Sequence, residues 1–178
     1  IIAENIRDNL DFLVNRLNDA PERHRSVRAL FEQSWQILAT EEKHIFTWMS
    51  VFAGGGRLED ILAVCQADPI FLLNLVDKSL IQEISAGRFS LHELLRQYAL
   101  EELRRASGEN GEAAARRRHF EVFLRLAEEA DGALRRAGQE TWLSRLDAER
   151  ENFQAALEWA LSGPDPDQAA RLAVSLGW

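Results

Sequence analysis

Apolar residues recur at steps of three and four along almost the whole chain. Short breaks interrupt that rhythm, and only one pair of short runs reads as strands, so the chain is expected to fold from amphipathic helices around a small sheet. The clearest stripe is Val27, Leu30, Phe31, Ser34, Trp35 and Leu38, wide enough to face a core. Ile6, Leu10, Leu13, Val14 and Leu17 predict a helix over 4–17, ended by Asn18-Asp19-Ala20-Pro21. Thr40 is an N-cap candidate for a short helix through Met49, and Glu41 and Glu42 suit its first turn.

Val51 to Gly56 breaks the pattern, and Leu58 to Gln66 resumes it. Asp68-Pro69 pairs an N-cap with a first-turn proline, opening a helix through Phe71, Leu72, Leu75 and Val76. Leu80 to Ile84 and Arg88 to Leu91 are strand-like runs around Ser85-Ala86-Gly87, the signature of a β-hairpin. Leu91, Leu94, Leu95, Tyr98, Ala99 and Leu103 then predict a helix ending near Arg104 to Ala106. Ser107-Gly108-Glu109-Asn110-Gly111 reads as a loop and a domain boundary. Beyond it the pattern is helical: Phe120, Phe123, Leu124 and Ala127 on one face, then Trp142, Leu143, Leu146, Phe153, Leu157 and Leu161, a turn at Ser162 to Pro166, and a last helix from Asp167.

Three or four helices, a hairpin and a packed helix make a winged-helix arrangement. Its candidate core is Leu30, Phe31, Trp35, Ile45, Phe46, Ile61, Leu62, Leu72, Leu75, Val76, Leu94, Leu95 and Tyr98. The short-looped helices after it suggest the start of a helical solenoid. The expected fold is therefore mainly α: a winged-helix domain with one small β-hairpin, followed by antiparallel helices of a tetratricopeptide-like (TPR-like) solenoid. Residues 1–20 read as the end of a preceding helical domain, 21–106 as the winged-helix domain, 107–112 as a linker and 113–178 as truncated repeats. Both ends read as cut points, Ile1-Ile2 without an initiator Met and Trp178 inside an apolar helical pattern.

Composition narrows the function. The net charge is −8, and acid exceeds base on both sides of Leu103, against the basic balance of a nucleic-acid-binding module. The segment before the hairpin, where most winged helices read DNA, is Pro69 to Ser79; it offers one cation, Lys78, beside Asp77. Base-edge and phosphate contacts need several such groups. No apolar run approaches the ~18 residues of a membrane span. Cys65 is the only cysteine, so it can form no disulfide within the chain and cannot anchor a zinc site; it reads as a small buried hydrophobe. His24, His44, His92 and His119 stand far apart, and no metal site is expected. No acid, base and nucleophile constellation appears, so no catalytic residue is assigned.

Gly54-Gly55-Gly56-Arg57 lacks the Gly-Lys-Ser/Thr ending of a phosphate loop and reads as a flexible turn between helices. Arg116-Arg117-Arg118-His119, flanked by Glu112 and Glu121, reads as a solvated face or a contact between domains. Arg23, Arg25 and Arg28, with His24, form a basic cluster at a helix start in an acidic region and are interface candidates.

Four segments resemble a known family: Pro21 to Leu30 with Ser34-Trp35; Met49-Ser50-Val51-Phe52-Ala53-Gly54-Gly55; Leu75-Val76-Asp77-Lys78-Ser79-Leu80; and Leu91-His92-Glu93-Leu94-Leu95-Arg96-Gln97-Tyr98-Ala99. In order, and spanning roughly Pro21 to Leu103, they resemble the winged-helix region of bacterial signal-transduction ATPases with numerous domains, of the antibiotic-regulatory and LuxR-type classes of transcriptional regulator. Trp142-Leu143, Leu146, Glu149, Asn152, Ala155-Ala156-Leu157 and Trp159-Ala160-Leu161 look like the first sensor-side helices of such proteins.

The resemblance implies a cytoplasmic regulatory fragment, not itself an enzyme. An upstream P-loop nucleotide-binding domain would be its intramolecular partner. The winged helix would close on bound ADP and hold the ATPase inactive, and exchange for ATP would release it. A protein or small-molecule effector would act on the TPR-like part. His92 matches the histidine of a Met-His-Asp motif that contacts the β-phosphate of ADP, although Leu91 and Glu93 replace its neighbours. A ring N–H at a helix start, beside free backbone N–H groups, is suited to an anion. The other reading of His92 is a residue that caps its own helix. No cofactor is expected in the chain alone, with ADP or ATP in the parent protein. The alternatives are a DNA-binding winged helix and a plain protein-interaction scaffold.

Overall fold

Helix dominates the computed structural model, which describes residues 31–134, 139–163 and 166–177, and one small antiparallel sheet interrupts it. The expected helix over 4–17, the segment 1–20 and the basic cluster Arg23, Arg25 and Arg28 lie outside the described residues. The chain divides into two compact units after Ala39. In the first, residues 31–36 are helical, and Ile37 N–H donates to the Ser34 carbonyl (3.3 Å) as the helix closes.

The second unit opens with α1 (Thr40–Trp48) and a 3-10 turn (Met49–Val51). Then follow β1 (Gly56–Arg57), α2 (Leu58–Cys65), α3 (Pro69–Asp77), β2 (Gln82–Ser85) and β3 (Arg88–Ser90). Long α4 (Glu93–Leu134), α5 (Gln139–Ala148), α6 (Arg150–Ser162) and α7 (Pro166–Leu176) complete it. Local chemistry explains several boundaries. Asp68 Oδ1 accepts the Ile70 N–H (2.9 Å), and Pro69 stands where no donor is needed, so α3 starts as the sequence predicts. Gln66 ends α2 in a left-handed conformation (φ 52°), its N–H returning to the Leu62 carbonyl (2.8 Å).

The hairpin is present, with β2 and β3 antiparallel and a bulge between Glu83 and Ser85. A third strand, β1, extends it on the other side in the order β1-β3-β2, pairing Gly56 with Phe89 and Arg57 with Arg88. Three consecutive glycines read as a break in the sequence, and only the pairing with β3 makes Gly56-Arg57 a strand.

The loop expected at 107–112 is not a loop. α4 runs unbroken for 42 residues, through Ser107-Gly108-Glu109-Asn110-Gly111. Glycines cost a helix roughly 1 kcal/mol each relative to alanine, and here tertiary packing outweighs that. On the N-terminal side Leu95, Tyr98, Ala99 and Leu103 are buried; on the C-terminal side Ala115, Phe120, Phe123, Ala127 and Ala130 are. Glu112 also ties the two sides, accepting from Arg104 Nε (2.5 Å) and Arg116 Nε (2.8 Å).

Of the candidate core, Ile45, Phe46, Ile61, Leu72, Leu75, Leu95 and Tyr98 are buried, and Leu62, Val76 and Leu94 are half-buried. The core continues across the expected boundary. Phe52, after the 3-10 turn, meets Phe123 of α4 edge-on (6.1 Å between ring centres), and Phe123 meets Phe153 of α6 (5.6 Å). Residues 40 to 106 and the helices after them accordingly fall in one compact unit.

Candidate functional site

His92 sits in the two-residue link between β3 and α4 and is exposed. Its carbonyl accepts the Arg96 N–H (2.9 Å), which makes it the N-cap of α4. Its ring Nδ1 accepts the Leu94 N–H (3.3 Å). An Nδ1 that accepts carries no proton in the neutral ring, so the proton lies on Nε2. The ring therefore caps its helix, as one of the two readings held, and leaves an Nε2–H donor for a partner. A carboxylate stands beside it: Glu93 binds Arg96 Nε (2.8 Å) and Gln97 Nε2 (2.9 Å). The hydrogen bond from Arg96 holds the Glu93 carboxyl below its usual range. Arg96 also donates to the Ser50 carbonyl (3.0 Å). An open cavity of about 220 Å³ lies here, lined by Phe52, Gly54, Gly55, Leu91, Glu93 and Arg96 among others.

The turn at Ala53-Gly54-Gly55 packs against this region, and it is held rather than loose. Gly54 and Gly55 have φ of 71° and 76°, a conformation suited to glycine. The Asn152 side chain spans the turn. Its Oδ1 accepts the Ala53 N–H (2.9 Å) and its Nδ2 donates to the Gly55 carbonyl (2.8 Å). Arg88 Nη2 donates to the carbonyls of Gly54 (3.2 Å) and Gly55 (3.0 Å). Gly54-Gly55 thus presents carbonyls to a guanidinium and an amide, the opposite of a phosphate cradle, and Gly56-Arg57, expected within the turn, form a strand instead.

Glu149, between α5 and α6, has no solvent exposure and pairs with the Arg88 guanidinium; its other oxygen accepts from Asn152 Nδ2 (2.8 Å). His119 of α4 completes the cluster, with Nε2 3.2 Å from Asn152 Oδ1. An amide oxygen only accepts, so His119 Nε2–H is the donor and Oδ1 takes a second hydrogen bond. Its ring packs against Phe52 (5.0 Å) and Phe123 (4.5 Å). Burial pulls its pKa down to about 4, so the ring is neutral near pH 7. Asp60 of α2 lies at the edge of the cluster, 3.4 Å from Arg145 Nη2. Burial pushes its carboxyl up to about 6; Arg145 opposes the shift, and Glu149 and Glu59 add to it.

Sequence reasoning named Glu149 and Asn152 only as helix landmarks and missed Arg88 and His119 as partners. His119 belonged to a run taken as a solvated face. The run does bind its flanking acids, Arg116 to Glu112 and Arg117 to Glu121, but His119 turns inward. An exposed arginine run conceals one inward position in four, which only the helical phase with Phe120 and Phe123 could have exposed.

The remaining candidates do not join the cluster. Lys78 Nζ is bound to both oxygens of buried Glu42 (2.5 and 2.6 Å). The outer face of α3 instead exposes Ile70 and Leu73. Cys65 is buried, and burial pushes its thiol up to about 12. His44 Nε2 lies 2.7 Å from the Cys65 carbonyl, far in sequence from any other described histidine. Among the described residues no group of three or more His, Cys, Asp or Glu could hold a metal, and no helix is long and apolar enough to cross a membrane. Comparison with protein-family models, with characterised proteins and with solved structures finds no match to this chain in any of the three.

Proposed function

We propose that this chain is a regulatory fragment of a cytoplasmic P-loop signalling ATPase that controls transcription. In this reading the described residues 40–106 belong to a winged helix that closes on the ADP-bound nucleotide domain. The C-terminal half of α4, with α5, α6 and α7, is TPR-like and takes the input of a protein or small-molecule effector. The chain is a relay and not a catalyst. One observation carries the reading: His92 is exposed at the start of α4, with Nδ1 engaged by Leu94 and Nε2–H left for an acceptor. A diphosphate held by a neighbouring domain is such an acceptor, and Arg96 offsets the Glu93 charge that would otherwise repel it.

The test is ADP retention by the longer gene product that the proposal requires, purified intact and chased with excess ATP. A charge-assisted hydrogen bond is worth roughly 1.5–3 kcal/mol. His92→Ala should therefore release ADP about tenfold faster or more and raise basal activity. Retention equal to that of the unaltered protein rejects the assignment.

A protein-interaction scaffold without nucleotide dependence is the second reading, favoured by the exposed Ile70, Leu73 and Ile84 on α3 and β2. It expects a partner whose binding is indifferent to ADP. A DNA-reading winged helix is the weaker alternative, since the one cation offered by the Pro69 to Ser79 segment is spent on Glu42.

A further inference from the structure

We infer that Glu149 and Asn152 are positioning residues for His92, so that the α5–α6 junction sets where the imidazole stands. The inference rests on the reading of His92 as a phosphate contact and adds the means by which the helical part would reach it.

Both side chains are fully buried. Their polar atoms are directed to the glycine turn and to β3. Asn152 binds the turn at Ala53 and Gly55, and Glu149 binds Arg88. Arg88 in turn binds the turn at Gly54 and Gly55. The turn leads directly into β1, whose Gly56 and Arg57 pair with Phe89 and Arg88. Arg88 begins β3, and that strand ends at Ser90, two residues before His92. Asn152 at the start of α6 therefore holds the turn that leads into β1, and Glu149 just before it holds β3, the strand that delivers the imidazole, through Arg88. The approach is close: a Cβ on Gly55 would clash with the Phe89 carbonyl oxygen and lie 2.8 Å from the Ser90 Cβ. The turn cannot shift without moving β3.

Stability alone does not call for this arrangement. A buried ion pair is often no more stabilising than apolar residues of the same size, because both charges are taken out of water. What a hydrogen-bonded pair supplies and an apolar contact does not is a fixed register. Here the register is that of β3 against α6. An effector or partner that displaced α5–α6 would withdraw Asn152 and Glu149 from the turn and free the His92 link.

Amide hydrogen exchange of the 178-residue chain tests the link without nucleotide. Asn152→Ala should speed exchange on the order of tenfold at residues 53–57 and 88–94, including the Leu94 N–H held by His92, while α3 and α7 stay near their original rates. The paired change Arg88→Met with Glu149→Met, which keeps the volume filled, should give the same local pattern if Asn152→Ala does not fold. Leu172→Ala, a core change in α7, serves as the comparison and should loosen α7 without singling out 88–94. Unchanged exchange at 88–94 in the Asn152 and Arg88/Glu149 variants overturns the inference. In the longer gene product, Asn152→Ala should also accelerate ADP release. If His92→Ala accelerates release and Asn152→Ala does not, positioning is overturned while the role of His92 stands. If His92→Ala has no effect, the phosphate reading itself fails, and with it the inference that Asn152 places a sensor.

Discussion

Arg88 on β3 and Glu149 at the head of α6 form a buried ion pair across 61 residues of sequence, and the guanidinium reaches past the carboxylate to the carbonyls of Gly54 and Gly55. The pair joins the sheet to the helices that follow α4. The glycine turn it binds lies so close to β3 that it tolerates no side chain at Gly55, from which the first prediction follows.

Gly55→Ala should destabilise the chain by about 3 kcal/mol. The left-handed φ is strained for alanine, and the added methyl meets backbone and Ser90. Gly132 is the opposite case: it lies inside α4 with nothing within 4 Å of a built Cβ. Gly132→Ala should stabilise by roughly 0.5–1 kcal/mol through helix propensity and reduced freedom of the unfolded chain. Urea denaturation of both variants reads the two signs side by side, and a destabilised Gly132→Ala would contradict the packing described for that part of α4.

Asp60 and His119 should impose opposite pH dependences. The Asp60 pKa is raised from 3.8 to about 6 in the fold, so the folded chain binds that proton more tightly. Its contribution grows as pH falls from about 6 towards 3.8. The His119 pKa is lowered from 6.5 to about 4, so the unfolded chain binds that proton more tightly, and stability is lost as pH falls through that interval. Each group acts with a slope of about 1.4 kcal/mol per pH unit. The two largely cancel between pH 6 and 4. Asp60→Asn should expose a steep loss on acidification, and His119→Gln should leave a gain. Parallel stability profiles for Asp60→Asn and the unaltered chain would show that the carboxyl is not shifted.

Duplex DNA should not retard this chain in a gel at low salt. The cation beside α3, Lys78, is held by Glu42, and Ile70 and Leu73 face outward in its stead. Electrostatic binding to phosphates needs several unspent cations. A salt-sensitive shift would restore the DNA-reading alternative and displace the regulatory one.

The amphipathic helices were legible because burial imposes a period on each: the stripe Leu91, Leu94, Leu95, Tyr98 marks α4, and Asp68-Pro69 marks the start of α3. Strand β1 was not, since two residues of glycine and arginine carry no pattern and become a strand only through pairing with Phe89 and Arg88. The continuity of α4 was hidden for a related reason. Local composition at 107–111 favours a turn, and the packing of Leu103 on one side and Ala115 on the other overrides it. His92 was found through its neighbours in sequence, whereas Arg88, His119, Glu149 and Asn152 are brought together by tertiary contacts that no local motif announces.

A rod of 42 residues, about 60 Å of helix at 1.5 Å per residue, has His92 at its head and Leu134 at its foot. With no joint between them, the two ends cannot pivot independently about residues 107–112. A torque applied where α7 leans on the lower half would be felt as rotation at the upper end, and severing the chain at that glycine pair would break an axle instead of separating two modules.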